Sequence, residues 1–352
     1  MDSVTQITLG AAVGEAVAGR DARWKAPLWG AILGTLPDLD VLADPFLTEA
    51  QSLLFHRGPS HSLLFALFLA PIVGWGLSSL HDDGPSWGRW TVLAGAVLLT
   101  HIGLDCLTVY GTQVFWPFSN MPILYGTIFI IDPLYTVPLA TGLLTALWWS
   151  PDDRIRRYAN YAGLALSSAY LVMTIVNKRH VNQVFTSSLQ SQNLPSERVL
   201  TKPTAFNNLL WMGLSEGKDG FYVGYYSLLD DDRRVSFQYV PKNHELLGDA
   251  VDHPMVERLR WFSRGYFTVQ QDGDGSLTIQ DIRFGRSDAG RTQDGEYIFN
   301  FRLLRDENGR ITGFQQERPE MELTRPLLRR FVNRIRGVEN GEAAQDHEDI
   351  SP

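Results

Sequence analysis

Four segments of the chain carry side chains that ligate hard or borderline divalent ions, each beside an apolar stretch. They are Asp38 and Asp40 in Pro37-Asp-Leu-Asp40, His56 and His61 in His56-Arg-Gly-Pro-Ser-His61, His101 and Asp105 four residues apart, and Asp132. Imidazole and carboxylate suit zinc, which takes about four such ligands in a structural site or leaves a position for water in a catalytic one. The spacing of His101 and Asp105 puts both on one helix face. There they can chelate one ion, or the carboxylate can fix the tautomer of its histidine. Gly58 and Pro59 force a turn between His56 and His61, and Ser60 is placed to cap a helix opening at His61. Arg57 offers a guanidinium to an anionic group such as a phosphate. The expected metal ligands are Asp38, Asp40, His56, His61, His101 and Asp105, with Asp40, His61, His101 and Asp105 meeting at a common point. The expected catalytic residues are Asp38, Asp132 and Arg57, and the expected cofactor is a divalent metal, zinc first. Each motif also has a plain structural use: a turn at Pro37-Asp38, a solvated polar loop at His56–His61, a helix cap at Asp132-Pro133.

Charge divides the chain that must position these groups. Residues 1–176 hold 21 of the 70 Asp, Glu, Lys and Arg residues, and the second half holds the other 49. Two domains follow. A helix needs about 20 apolar residues to cross a bilayer, and the first half supplies His61–Leu80, Trp90–Tyr110, Pro133–Trp149 and Tyr158–Val176, with weaker stretches at Val4–Ala18 and Ala26–Ala43. The expected fold is an α-helical membrane bundle of about six embedded helices followed by a small, mainly β extracytoplasmic domain. Its expected divisions are 1–180 for the membrane domain with the metal site, 181–200 for a linker, 201–330 for the β domain and 331–352 for a disordered polar tail. Arg20, Arg23, Lys25, Arg89, Arg154, Arg156 and Arg157 all fall in loops on one side of this bundle, which should face the cytoplasm. Arg57 stands alone on the other side; Lys178 and Arg179 argue weakly the other way. The candidate ligands then gather on the outer side, where ionisable groups at membrane depth are functional candidates. No basic n-region marks a cleaved signal peptide.

In the polar half, alternating runs at Phe221–Leu228, Val235–Val240, Gly265–Gln270, Ser276–Phe284, Tyr297–Leu304 and Ile311–Gln316 read as strands. Turns at Asp272-Gly-Asp-Gly275 and Asp306–Gly309 separate several of them. The first turn fails as a calcium loop because Arg283 stands where an acidic twelfth residue belongs. His244 and His253 have no ligand spacing. The formal net charge of −8 and the lack of a basic patch with interleaved aromatics argue against nucleic acid. The single Cys106 cannot form an intrachain disulfide.

The runs Asp2–Ala12, Gly34–Asp40, His56–Ser62, His101–Gln113 and Ile130–Pro133, in that order, resemble the bacterial inner-membrane metal-dependent hydrolase family, its LexA-regulated group, over roughly the first 180 residues. The resemblance implies a distant likeness to the zinc-dependent phospholipase C and single-strand nuclease superfamily, whose metal clusters also use His and Asp. Ser60 replaces the Thr expected there and keeps the hydroxyl. The expected function is an integral membrane hydrolase acting on a phosphoester or ester bond of a lipid or envelope substrate in the bacterial inner membrane. Transport through the same polar cluster, or a structural or regulatory envelope role, are the alternatives; inverted repeats would favour transport, and none is evident.

Overall fold

Side-chain caps set where several N-terminal helices begin. In the computed structural model, which describes residues 1–287, 296–319 and 324–338, Asp2 accepts from Thr5 N at 3.0 Å and opens α1 (Ser3–Ala22). Ser62 opens α4 (Leu63–Leu80) by accepting from Phe65 N at 3.1 Å. Asp132, followed by Pro133, opens α6 (Pro133–Trp148). The cap expected of Ser60 is not formed: its hydroxyl contacts Asp40 and His61, and Pro59–His61 is a single 3-10 turn, so α4 starts two residues later than His61.

The other helices of this unit are α2 (Lys25–Thr35), α3 (Glu49–Phe55), α5 (Trp87–Cys106) and α7 (Arg154–Ser191). The stretch Ala26–Ala43 is not one helix. It is α2 followed by a 3-10 segment, Leu36–Phe46, because Pro37 and Pro45 lack the N–H that an α-helix interior needs. By length and composition α4 and α7 can cross a membrane, so the described residues contain two candidate spans rather than six clear ones. Arg89, His101 and Asp105 lower the apolar content of α5, and α6 has 16 residues.

Helices α1 and α2 touch backbone to backbone along Gly10 and Gly14 on one and Gly30 and Gly34 on the other. Small residues four apart permit this close approach. A buried core of Leu9, Leu33, Trp90, Leu93, Val97, Tyr135 and Leu139 joins α1, α2, α5 and α6. Glu15 of α1 pairs with Arg156 of α7 through two bonds of 2.6 and 2.7 Å, both side chains buried.

The first unit comprises Met1–Val176 and Ala205–Asn207 and the second the rest, so the boundary falls within α7. Residues 181–200 are no linker: α7 runs on to Ser191 and β1 starts at Val199. The second unit holds two antiparallel four-stranded meanders, β1 (Val199–Pro203), β2 (Leu210–Glu216), β3 (Gly220–Ser227) and β4 (Phe237–Pro241), then β5 (Phe267–Gln271), β6 (Leu277–Arg286), β7 (Tyr297–Arg305) and β8 (Ile311–Glu317). Asp272–Gly275 and Asp306–Gly309 are hairpin turns, each with the glycine N–H bonded to the leading aspartate carbonyl at 2.9 Å. Helices α8 (Pro254–Phe262) and α9 (Arg325–Ile335) complete it. His253 caps α8, and His244 stacks on Phe267 at 4.1 Å between ring centroids. The tail expected to be disordered begins inside α9, and its residues 339–352 lie outside those described.

Lys202 is buried in this unit, its Nζ 3.1 Å from the Phe284 carbonyl, and burial pushes its pKa down to about 8. An unfolded lysine titrates near 10.4. Between these values the unfolded chain binds the extra proton, so stability should rise with pH across about 8 to 10, by on the order of 3 kcal/mol. Denaturant unfolding of the wild type and Lys202→Met checks this: the variant should lose that part of the pH slope, and an unchanged slope would refute it.

Candidate metal centre

Three elements converge on one buried point. The i, i+4 pair on α5 presents His101 and Asp105 together, the 3-10 turn after Gly58 brings His61, and the 3-10 segment after α2 brings Asp38. One ligand atom from each of these four lies within 4.8 Å of all the others. His61 Nε2 is 3.2 Å from His101 Nε2, 3.3 Å from Asp38 Oδ1 and 3.3 Å from Asp105 Oδ2. His101 Nε2 is 3.7 Å from each of the same two oxygens. A tetrahedral zinc site with bonds near 2.0–2.1 Å has ligand-to-ligand edges of about 3.3–3.4 Å. The observed separations bracket that edge.

Proton bookkeeping points the same way. His101 Nδ1 sits 2.8 Å from the Gly34 carbonyl, which can only accept, so Nδ1 carries a proton and Nε2 is the nitrogen turned inward. It meets a second Nε2 and two carboxylates, and buried Asp105 Oδ2 has no partner at hydrogen-bond geometry, its nearest cation being Arg57 Nε at 3.4 Å. His61, His101 and Asp105 have almost no exposed surface, while the Asp38 side chain is 18% exposed. Such a set of acceptors fits a cation, with Asp38 at the open edge.

The surrounding residues hold the ligands in place. Asp40 accepts from Arg57 N at 2.9 Å and Ser60 Oγ at 3.3 Å, and its Oδ1 is 2.9 Å from His56 Nδ1. Asp40 also stands 3.6 Å from His61 Nδ1. It therefore orients the His56–His61 loop and does not join the four; Asp38 takes the place expected for Asp40 at the common point. His56 turns its Nδ1 to Asp40 and its ring edge to Tyr110, also outside the four. Arg57, held at φ 56°, puts Nε 3.4 Å from Asp105 Oδ2 and donates from Nη1 to Thr108 at 3.1 Å. Asp132 is buried, caps α6 and accepts from the Tyr170 hydroxyl at 2.8 Å. It is not brought to the four.

Two partners of Asp105 went unassigned in the sequence: the α-amine of Met1 and Gln6 Nε2, the latter at 3.2 Å. Gln6 stands in an apolar helix, and that contrast is its signal; the Gly34 carbonyl has none.

The family model for the YdjM inner membrane proteins matches residues 1–181. The chain belongs to the YdjM inner membrane protein family. Every residue of the metal centre falls inside the YdjM match. Uncharacterized protein YfhP of Bacillus subtilis (strain 168) is 26% identical over 250 residues, covering 67% of this chain and 72% of that protein. Inner membrane protein YbcI of Escherichia coli (strain K12) is 36% identical over 99 residues, covering 26% of this chain and 53% of that protein. No solved structure matches.

Proposed function

We propose that this YdjM-family protein is an integral membrane metal-dependent hydrolase of the LexA-regulated group, cleaving a phosphoester or ester bond of a lipid or envelope substrate. The observation that carries the reading is the spacing of Asp38, His61, His101 and Asp105, whose ligand atoms gather at one buried point at separations close to a tetrahedral edge. Four protein ligands would close a zinc site, so hydrolysis requires that water be admitted beside Asp38, the ligand at the open edge; there zinc would lower the pKa of that water to about 7 and polarise the scissile group. Asp38, the one ligand with an exposed edge, would receive the proton at its second oxygen. Arg57 would hold the anionic part of the substrate; its guanidinium lies over Tyr110 at 4.9 Å, and its Nε reaches towards the cluster, 3.4 Å from Asp105 Oδ2. The 3-10 segment carrying Asp38 also exposes Leu39, Leu42 and Phe46, an apolar rim suited to acyl chains.

Hydrolysis of a panel of phospholipids and acyl esters by the zinc-loaded protein, read by mass spectrometry, tests this. Turnover that falls to background in Asp38→Asn and shows a raised KM in Arg57→Gln is the expected result. Full metal content with no turnover on any member would reject the hydrolase and favour the structural reading. The six-helix arrangement, with the basic loops in the cytoplasm and the β domain outside, belongs to the same proposal. A reporter inserted at Asp306–Gly309 should be active only outside the cytoplasm; cytoplasmic activity would reverse the orientation.

A further inference from the structure

Helix α9 carries a charge opposite to that of the chain around it. The whole protein has a formal charge of −8, yet residues 325–336 contain five arginines and no acidic residue. At 100° per residue, Arg325, Leu328, Arg329, Val332 and Arg336 share one face. That face is open: Leu328 is 48% exposed and Val332 40%, and no residue of α9 is buried. The opposite side is fastened to the second unit. Arg334 donates to both Asp230 oxygens at 2.5 and 2.9 Å and to the Tyr225 carbonyl at 3.0 Å, and Ser227 Oγ donates to the Ile335 carbonyl. The helix is thus rigidly presented with its cationic and apolar residues outward.

We propose that this outward face of α9 docks on an anionic bilayer surface, the arginines on lipid phosphates and Leu328 and Val332 at the headgroup boundary. Mixed basic and apolar residues on one helix face are the signature of an interfacial helix. The family membership keeps a bilayer tethered to the same chain, so even a weak contact is raised by local concentration. Charge complementarity selects anionic over zwitterionic lipid. This inference does not depend on the metal centre or on hydrolysis.

The test places an environment-sensitive fluorophore on Leu328→Cys in the full-length protein in nanodiscs. The unmodified protein, whose Cys106 is buried, supplies the background. In discs of phosphatidylcholine the label should read as aqueous. With phosphatidylglycerol added it should shift to an apolar reading and gain protection from a water-soluble quencher. Each arginine near an anionic surface contributes roughly a fivefold bias, so R325Q/R329Q/R336Q should shift the docking equilibrium by about a hundredfold and expose the label again. High salt should act in the same direction. Equal protection in both lipids would mean that protein covers the face, and equal exposure in both would mean that nothing does. Protection appearing only with two copies per disc would assign the face to a second copy. Each of these three results overturns the proposal.

Discussion

Replacing His61 or His101 with alanine should strip the bound ion from the protein while leaving it inserted in the membrane. Each change removes one of two imidazoles whose Nε2 atoms stand 3.2 Å apart at the centre of the cluster, and neither removes an apolar contact face of α4 or α5. Outer residues should rank below the ligands. Asp40→Asn leaves four ligand atoms in place but loosens the loop that aims His61, and such supporting changes cost roughly 10–100-fold in affinity. Asp132→Asn, whose partners are Leu134 and Tyr170, should bind normally. Zinc titration by calorimetry and elemental analysis of the purified variants give the order. Chelation of the wild type should lower its unfolding stability by about 4 kcal/mol relative to zinc at a thousandfold excess over Kd. Full metal content in both histidine variants would eliminate this centre.

The same residues show how much of the site a sequence can disclose. His101 and Asp105 are legible because an α-helix returns to the same face after four residues. Asp38 and Asp40 are not separable, because the segment is 3-10 and not α. At three residues per turn, positions two apart project about 120° from each other, so one carboxylate enters the cluster and the other turns to His56 and Arg57. Nothing in Pro37-Asp-Leu-Asp40 says which. The positive φ of Arg57, which turns the chain between His56 and His61, carries no glycine to announce it. The strands β3 and β7 are readable from their aromatic and β-branched content, although burial does not alternate along either. The strand β2 is buried on both faces and loses the period-two signal, while β1 contains Lys202 and Pro203, which argue against a strand. Apolar length locates most helices of the first unit, but among the described residues membrane crossing by length and composition holds for α4 and α7. The arginines of α9 are visible as charge, yet their shared open face needs the helix and the Arg334–Asp230 clamp to define it.

The position of the ligands should also depend on a packing feature remote from any charge. A Cβ built on Gly10 would lie 2.2 Å from the Gly30 carbonyl oxygen, and one on Gly30 would lie 2.2 Å from the Gly10 oxygen. These are backbone atoms, so a side chain at either position must part α1 from α2. The consequence reaches the metal centre at both helices. Gly34 O, one turn beyond Gly30, fixes the His101 tautomer, and Gln6, one turn before Gly10, bonds Asp105. Gly30→Ala is therefore expected to cost about 1–3 kcal/mol in stability through overpacking. Its loss of metal affinity should resemble that of an outer-shell deletion, roughly 10–100-fold. Gly103→Ala is the control, since it lies between His101 and Asp105 on α5 but its Cβ would meet nothing within 4 Å. Relief of the helical cost of glycine should there be neutral or stabilising by up to about 1 kcal/mol. If Gly30→Ala binds zinc as tightly as Gly103→Ala, the α1–α2 contact does not position the ligands. If Gly103→Ala fails and Gly30→Ala does not, proximity in sequence to the ligands outweighs the packing route through Gly34.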